Sequence, residues 1–390
     1  MAGPLQGVKV LDFTQLLPGA MCTLQFADLG ADVVKIEPPV NGDGARGPAG
    51  SPPTGFFVIT NRNKRSLALD LKNPVARDIV LRLAANADVL VEGFRPGVMD
   101  RLGIGYEAVR AANPRIIYCS ITGYGQTGPL AHKAGHDTNY QAYAGLMAQN
   151  VIDGSRPSAG GTPIADIAGG GMAAAAGILA ALFDVQRGGP GRHIDVSMTD
   201  CAMAFNVTAL ASKYTSGGEM PEPGHDVLSG GLPCYRSYQT ADGRHLAFGA
   251  LEPKFWSNFC MAVERPELLA QGWQSGAGYA EAAAEISALV ASKTYAEWTK
   301  LLEHVDACIT PVLSLDEALT HPNAIAREMV IQVAGGGTLE TQYAFPLKMS
   351  DFDFTVHRLP PKLSEQREDI LREAGYGAPE IASFIGMGLI

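Results

Sequence analysis

The chain has 390 residues, more than the roughly 50 to 250 of one typical domain, so we expect two domains with a sizeable core. Hydrophobic residues make up 46% and charged residues 18% of the sequence, which excludes a disordered or fibrous protein. The net charge of −10 argues against nucleic acid or an anionic membrane surface as a partner, and an anionic ligand then needs a local cluster of cations.

The first part of the chain alternates apolar strands with helices. Strands are predicted over 8–13, 31–37, 88–94 and 115–125, and helices over 19–30, 74–87 and 106–113. This alternation is typical of a largely parallel sheet covered by helices on both faces. We therefore predict an α/β fold whose large domain is Rossmann-like, with residues 1–190 as its first part.

An uncharged stretch runs from Ile167 to Phe183. It is shorter than the roughly 20 residues that a bilayer needs, and Asp184 closes it. We interpret it as part of a buried helix that begins near Asp166 and ends near Gln186.

The alternation fades after a strand-like segment at 193–198. Gly, Pro and Ser then become frequent, which predicts a linker over 191–232. The Asp242-Gly243 turn lies between two alternating runs and predicts a hairpin that opens a smaller α+β domain over 233–322. Thr294 and Glu297 have the spacing of a capping box. Residues 323–390 are predicted to be a linker, Gly-rich at 335–337, and a last helix over 364–375 that returns to the large domain.

The segment Gly42-Asp-Gly-Ala-Arg-Gly47 matches the glycine fingerprint of dinucleotide-binding loops. Pro38 and Pro39 separate it from the preceding strand, and further prolines follow where a helix would have to begin. No helix N-terminus is then available to a pyrophosphate, so we do not expect a nicotinamide or flavin cofactor.

A basic run, Arg62 to Arg65, precedes a strand predicted at 66–71, and Arg95 and Arg101 follow the strand over 88–94. A solvated face is one explanation of these cations. A phosphate site is the other, because Arg95 ends a predicted strand, where α/β sheets bind ligands. On the residues alone both interpretations stay open.

Three residues are candidates for acid–base chemistry. His136 lies beside Asp137 in AGHDTNY, Asp166 precedes a Gly-rich helix start, and Glu252 follows the hairpin in GALEPKF. Each also has a plain structural explanation: an ordinary surface or core histidine, a helix N-cap and a surface carboxylate.

Four longer stretches are distinctive: AGHDTNY, GTPIADIAGGG, LSGGLPCYRSYQTADGRHLAFGALEPKFW and DACITPVLSLDEAL. With them, and with LDFTQLLPGA, VVKIE, NKRSLALDLK and FRPGVMDRLG, the chain resembles the family III CoA-transferases (CaiB/BaiF-like) over essentially its whole length. Within that superfamily it is similar to the α-methylacyl-CoA racemases. The resemblance implies the family III CoA-transferase fold.

The resemblance also implies catalytic roles. In the racemases, the counterparts of His136 and Asp166 are two catalytic bases, supported by a glutamate that this chain supplies as Glu252. In the transferases, the counterpart of Asp166 is a nucleophile that forms acyl-enzyme anhydrides, and an aromatic residue usually replaces the histidine. Inverting a carbon beside a thioester needs an acid/base group on each of its faces, which fits the racemase.

We therefore predict an isomerase, a racemase or epimerase that inverts the α-carbon of 2-methyl-branched acyl-CoA thioesters in fatty acid and lipid metabolism. The reaction is expected to be a two-base 1,1-proton transfer through an enolate. Backbone amides near Asp137 or at Gly169–Gly171 are both candidates to bind the enolate oxygen. A family III CoA transferase and a non-catalytic CoA-ester binder are the alternatives.

The resemblance implies no cofactor other than the CoA of the substrate, and no metal. One departure is Pro38, where many relatives have a CoA-contacting arginine; Arg62, Lys64 and Lys72 are candidates to compensate. The implied CoA contacts are Leu69, Asp70, Leu71, Lys72, Gly93, Phe94, Arg95, Arg101, Gly135, Asp137, Thr138, Asn139 and Tyr140.

The partners implied are an acyl-CoA substrate and a second copy of the chain in an interlocked homodimer. His136 and Asp166 of one chain would then meet Glu252 of the other. The six cysteines are dispersed and no secretory leader is recognised, so we expect reduced core thiols and a cytoplasmic location without membrane insertion.

Overall fold

The structure, a computed structural model, describes residues 3–152, 156–220, 222–335 and 338–390. The chain forms two compact units. The first unit comprises the chain up to Ala144, Ala159–Ala204 and Ala326–Ile390, and the second comprises Gly145–Ser158 and Phe205–Ile325. The first unit is therefore built from segments that are far apart in the sequence.

A six-stranded parallel sheet lies at the centre of the first unit, and it confirms the predicted α/β fold. Its strands are largely buried on both faces, which explains their nearly continuous apolar sequences. The strand order is β3-β2-β1-β4-β5-β6. The strands are β1 (Lys9–Phe13), β2 (Asp32–Glu37), β3 (Arg65–Ala68), β4 (Val89–Glu92), β5 (Ile117–Thr122) and β6 (Arg192–Ser197).

The helices of this unit connect the strands or follow them. They are α1 (Leu16–Asp28), α2 (Gly55–Thr60), α3 (Pro74–Ala84), α4 (Val98–Arg101), α5 (Tyr106–Ala112), α6 (Asp137–Ala144), a π-helix (Ala165–Met172) that continues as α7 (Ala173–Gln186), and α8 (Met198–Ala204). Asn73 caps α3 through its side chain, and Pro74 opens the helix at its first position.

The π-helix and α7 make one helical segment of 22 residues, longer than the uncharged stretch suggested. By length and composition alone this segment is apolar enough to cross a membrane. It packs against α1, β5 and β6. Its opposite side is exposed, with Met172 at 53% and Phe183 at 61%, so the prediction of a buried helix holds for one face only.

The predicted linker over 191–232 is wrong in its first part. Arg192–Ser197 is β6, which pairs with β5 from Ile117↔Arg192 to Thr122↔Ser197, and α8 follows it directly. Ile194 and Val196 alternate with polar residues, which is typical of a strand. The segment is the edge strand of the six-stranded sheet and not part of a linker.

The second unit has a three-stranded antiparallel sheet in the order β9-β8-β7. The predicted hairpin is confirmed, since His245 pairs with Gln239 and Gly243 adopts a φ of +77° in the turn. The strands are β7 (Tyr235–Gln239), β8 (His245–Gly249) and β9 (Ile309–Pro311). The helices are α9 (Val207–Thr215), α10 (Pro253–Ala262), α11 (Tyr279–Val290), α12 (Tyr295–Leu302) and α13 (Leu315–Thr320), with α14 (Pro322–Ala326) at the end of the unit.

An aromatic core stabilises this unit. Trp256, Phe259 and Trp298 have no exposed surface, and Phe248 of β8 packs edge-on against Phe259. The capping box predicted at Thr294 and Glu297 is confirmed at the start of α12.

The last segment of the chain returns to the first unit. An antiparallel pair, β10 (Val330–Gly335) and β11 (Thr338–Tyr343), precedes α15 (Arg367–Glu373) and α16 (Ala378–Gly386). Residues 336 and 337 of the predicted Gly-rich stretch lie outside the described residues. Ile370 and Leu371 of α15 and Phe384 of α16 complete the core that β1 and α3 begin.

The helix predicted over 364–375 is shorter in the structure, because Ser364 has another role than a helix cap. Its N–H donates to Ser66 Oγ at 2.9 Å and its hydroxyl accepts from the Ala68 N–H at 3.1 Å, so it pairs with β3.

All six cysteines lie among the described residues, and none forms a disulfide. Cys22, Cys119, Cys234 and Cys260 are buried, as predicted for core thiols. Cys308 is exposed, so the prediction is wrong there: it follows the buried Ala307 and precedes β9, outside the core.

Candidate active site

A cavity of about 480 Å³ lies in the first unit where β1 and β4 end. The direction in which strands are added to the sheet reverses between these two strands, and open parallel sheets bind ligands outside the carboxyl ends at such a switch point. The lining consists of Thr14–Gly19, Gly93–Pro96, Ile121–Gly123, Ala131, Lys133–His136, Asn139, Tyr140, Asp166 and Met198.

Buried charges fix the loop that follows β1. Leu16 has a φ of +61°, and its N–H donates to Asp43 Oδ1 at 3.0 Å. Lys35 Nζ lies 2.7 Å from Asp43 Oδ2 and donates to the Thr14 carbonyl oxygen at 2.9 Å. Both charged side chains are fully buried, and removing either one would leave the other charge uncompensated. The pair therefore holds the Thr14–Leu17 backbone in the cavity wall.

The basic run before β3 is also structural. Arg62 pairs with Asp28 at 2.7 Å, and Lys64 Nζ lies 3.2 Å from Asp12 Oδ2; all four side chains are almost fully buried. Burial lowers the pKa of Lys64 to about 8 despite the neighbouring carboxylate. The phosphate-site interpretation of this run is therefore wrong, because its cations are neutralised inside the unit.

This finding bears on the substitution at Pro38. Arg62 and Lys64 are buried and paired with carboxylates, so they are not available to compensate for the missing arginine. Lys72 is exposed and remains a candidate to compensate for the arginine, although it does not line the cavity. The glycine fingerprint at 42–47 forms only a 3-10 turn, Gly44–Arg46, whose preceding Asp43 faces Lys35.

The turn after β4 is shaped by Glu92. This buried carboxylate accepts from the Phe94 N–H at 2.7 Å, and burial raises its pKa to about 7, partly offset by hydrogen bonds from Ser120 and Phe94. Arg95 in the same turn is exposed and lines the cavity, as does Lys133. These two cations give the cavity rim the positive charge that an anionic ligand needs.

His136 directly precedes α6. Its N–H donates to Asn139 Oδ1 at 3.0 Å, and its carbonyl oxygen accepts from the N–H groups of Asn139 and Tyr140. The backbone is thereby fixed, while the imidazole is exposed at the cavity. The histidine is thus neither a core residue nor remote from the cavity.

Two glycines allow this loop to approach the aromatic cluster beneath it. A Cβ on Gly123 would lie 2.3 Å from Tyr140 Cε1, and one on Gly135 would lie 2.7 Å from the same atom. Tyr140 donates to the Gly135 carbonyl oxygen and packs edge-on against Tyr124 at 5.2 Å. The His136 loop therefore lies on a rigid aromatic base.

Asp166 lies in the first turn of the π-helix, a helix type that is frequent at functional sites. Asp137, the neighbour of His136, accepts from the N–H groups of Ala165 at 2.8 Å and Asp166 at 3.2 Å. Asp137 therefore caps the helix that carries Asp166 and ties the two predicted bases to each other through the backbone.

The surroundings of Asp166 raise the pKa of its carboxyl group to about 6. Burial is the largest cause and the negative charge of Asp137 adds to it, while His136 acts in the opposite direction. A carboxyl group with this pKa can both accept and donate a proton near neutral pH. Both His136 and Asp166 line the same cavity.

Gly169–Gly171 do not present free amides at a helix start, because they lie inside the π-helix. Added Cβ atoms would lie 2.8 Å from Pro18 Cβ at Gly170 and 3.0 Å from Met21 Cβ at Gly171. These glycines serve close helix packing.

The predicted site residues divide into two groups. Eight of them line the cavity: Gly93, Phe94, Arg95, Gly135, His136, Asn139, Tyr140 and Asp166. The others do not: Leu69 is a core residue, Asp137 is a buried cap, Leu71 packs partly against the core, Asp70, Lys72, Arg101 and Thr138 lie outside the lining, and Glu252 belongs to the second unit.

Sequence reasoning missed the loop after β1. Gln15, Leu16 and Leu17 line the cavity together with Lys133. The strand pattern of the sequence does not give the strand order, and only the observed order places the end of β1 at the switch point. Among the described residues, no group of three or more His, Cys, Asp or Glu side chains is placed to hold a metal ion.

Comparison with known proteins matches residues 5–367 to CoA-transferase family III. The chain is 36% identical over 379 residues to a mouse protein named alpha-methylacyl-CoA racemase, covering 97% of this chain and 95% of that one. It is 35% identical over 390 residues to an acetyl-CoA:oxalate CoA-transferase of Acetobacter aceti, covering 97% of each. A solved CaiB/BaiF family protein from Brucella suis has a TM-score of 0.82 at 28% identity, over 96% of this chain and 100% of that one.

Proposed function

Since the chain belongs to CoA-transferase family III, we propose that it is a racemase of 2-methyl-branched acyl-CoA thioesters. The observation that carries the proposal is that His136 and Asp166 line one cavity, with Asp137 hydrogen-bonded to the start of the helix that carries Asp166. A racemase needs two such groups, and a transferase of this family needs only the aspartate.

In the proposed reaction, one group removes the α-proton and the other returns a proton to the opposite face. When the His136 imidazole takes the proton, the thioester becomes an enolate and the Asp166 carboxyl group donates its own proton to the α-carbon. The reverse direction exchanges the two roles, so the enzyme ends each turnover with its protonation states interchanged. No group other than these two gains or loses a proton overall.

The raised pKa of Asp166 suits this exchange. An ordinary aspartate holds its proton too weakly to be present as an acid near neutral pH. With a pKa of about 6 the Asp166 carboxyl group exists in both protonation states near neutral pH, so it can act as the acid in one direction and as the base in the other. The buried Asp137 contributes to this shift while it caps the π-helix.

A CoA transferase is the second candidate, because the Acetobacter relative is almost as similar as the racemase. In that reaction the Asp166 carboxylate would attack the thioester carbonyl and expel the CoA thiolate, leaving an acyl-aspartyl anhydride. His136 would then have no required role in the chemistry.

We further propose the interlocked homodimer that the resemblance implies, with Glu252 of the partner chain next to His136 and Asp166. Glu252 is exposed in the single chain and precedes Pro253 at the start of α10 without capping it. Its carboxylate is therefore available to a site outside its own helix. We also propose that the protein is cytoplasmic.

A single experiment separates the two reactions. One enantiomer of a 2-methylacyl-CoA is incubated with the protein in deuterated water, with and without a free carboxylic acid. A racemase incorporates deuterium at the α-carbon and loses optical purity in both samples. Transfer of CoA to the added acid without α-deuterium would overturn the racemase proposal in favour of the transferase.

The variants H136A and D166A test the two bases and the third alternative, a non-catalytic binder. We expect both variants to lose α-proton exchange and to bind the CoA ester still, because the cations of the cavity remain. A transferase would keep activity in H136A. A wild-type protein that binds the ester and shows neither exchange nor transfer would be a binder.

A further inference from the structure

A second cavity, of about 800 Å³, lies within the second unit. Residues of β7 and β8, the loop before β7 and Tyr279 of α11 form its wall. Among the residues that the structure describes, the lining contains no Asp or Glu, and Arg236 is its only lysine or arginine. Arg236 therefore gives this wall a positive charge, although the protein as a whole is acidic.

Arg236 has no carboxylate partner among the described residues. Its Nη1 donates to the Tyr279 hydroxyl, which itself donates to the Gly230 carbonyl oxygen at 2.8 Å. The Arg236 Nε is buried and has no hydrogen-bond acceptor in the described parts of the chain. A buried N–H of a charged group that lacks an acceptor is unfavourable, so the guanidinium is prepared for an oxygen ligand.

Two aromatic rings hold the guanidinium in place. Its central carbon lies 5.2 Å from the ring centroid of Tyr238 and 5.7 Å from that of Tyr279. Arg244 on the neighbouring strand region shows the ordinary arrangement: it stacks on Tyr295 at 3.7 Å and pairs with Glu317 at 2.8 Å. Arg236 has the aromatic support of Arg244 but lacks the carboxylate.

The rest of the wall indicates the kind of ligand. Ser229 and Ser237 offer neutral hydroxyls, and Leu228 and Phe248 offer apolar surface. A single guanidinium matches the charge and the planar fork of a carboxylate, whereas a phosphate group with nearly two charges calls for more cations. We propose that this cavity binds the carboxylate group of a small organic acid with an apolar chain, held by Arg236.

The test is titration calorimetry of the full-length protein with hexanoate, in a buffer free of phosphate and carboxylates. Wild-type protein is expected to bind hexanoate, and R236M to bind it at least about tenfold more weakly, since a charged hydrogen-bond donor is lost. R236K keeps the charge without the fork and is expected to lie between them. R244M is the matched control, and its affinity should equal that of wild type. Hexanol and inorganic phosphate are expected to bind poorly.

Two results would overturn the proposal. Equal hexanoate affinity in wild type and R236M would show that Arg236 does not hold the acid. Absence of hexanoate binding to the wild-type protein would also overturn the proposal, and a change in oligomeric state of R236M by light scattering would then assign Arg236 to contact with a second chain. α-Proton exchange is measured separately on a CoA ester without free acid, so failure of this proposal and failure of the racemase proposal are distinguishable.

Discussion

Asp166 illustrates how a residue that suits a reaction can lower the stability of the fold. Its carboxyl group is partly buried and lies near Asp137, so the folded chain holds the proton up to a pKa of about 6, against 3.8 for an ordinary aspartate. Ionisation therefore disfavours the folded state. The stability that the protonated form contributes is present at low pH and is lost as the pH rises through about 4 to 6.

We predict that D166N is more stable than wild type at pH 8, by on the order of 1 to 2 kcal/mol after allowance for the partial exposure of the side chain. At pH 4 the difference should fall to about 0.5 kcal/mol or less, because the carboxyl group is then protonated in the folded state and partly protonated in the unfolded chain. Urea denaturation at both pH values measures the difference. A D166N variant that is no more stable at pH 8 would contradict the charge cost described for this site.

Asp137 offers a second prediction at the same scale. D137N keeps an oxygen for the N–H groups of Ala165 and Asp166 and removes the negative charge that raises the pKa of Asp166. The acidic limb of the pH profile for α-proton exchange should therefore move to lower pH, by up to about one unit. An unchanged acidic limb, measured on a variant with wild-type stability, would show that Asp137 acts through the backbone alone.

At the scale of elements, the π-helix and α7 form one long helical segment, and its π-helical half is packed more closely than α7. Gly170 lies in the π-helix against α1, where a Cβ would be 2.8 Å from Pro18 Cβ. Gly177, further along in α7, has Ile194 Cγ2 at 3.4 Å as its nearest neighbour. The two positions have the same residue in one continuous segment and differ in the space around it.

We predict that G170A destabilises the protein by about 1 to 3 kcal/mol, since rigid neighbours have to move. G177A should be neutral or stabilising by up to about 1 kcal/mol, because alanine favours a helix over glycine. Thermal unfolding of both variants is the measurement. Pro18 also lines the cavity, so G170A should weaken binding of the CoA ester as well. Equal stability of the two variants would exclude the packing role given to Gly170.

The elements also show where sequence reasoning succeeds. The strands β1, β2, β4 and β5 follow from runs of apolar residues such as VKVLDF and RIIYCSIT, which a parallel sheet requires. The π-helix could not be predicted, because its wider turn comes from packing against α1 and α8 and leaves no distinctive period in the sequence. The role of Lys64 was equally hidden, since its partner Asp12 is 52 residues away.

The candidate site likewise contains residues that the sequence predicted and residues that it did not. His136 and Asp166 were predicted because the resemblance assigned them catalytic roles, and the structure places both in the lining of one cavity. Gln15 and Leu17 were missed because side chains without acid or base chemistry carry no functional signal. Their position at the end of β1 is a consequence of topology, which becomes visible only when the strand order is known.

At the scale of the whole molecule, the proposed dimer makes a prediction that one chain alone could not satisfy. H136A and E252A are each expected to be nearly inactive. Co-expression of the two variants should restore α-proton exchange, because one of the two sites in a mixed dimer has both residues intact. With random pairing, about a quarter of all sites would be intact. Mixing the separately purified variants should restore little, since interlocked chains do not exchange readily. A co-expressed sample without activity would contradict the shared site.

The first unit is assembled from segments that are far apart in the sequence, which affects how the protein folds during synthesis. Ile370, Leu371 and Leu389 belong to the same buried cluster as Leu67 and Leu90, yet a ribosome synthesises them about 300 residues after Leu67. Throughout that interval, one side of the nascent sheet remains uncovered. Folding during translation therefore stays incomplete until the final helices emerge, and chaperones that shield apolar surfaces should determine how much of this protein is recovered from cells.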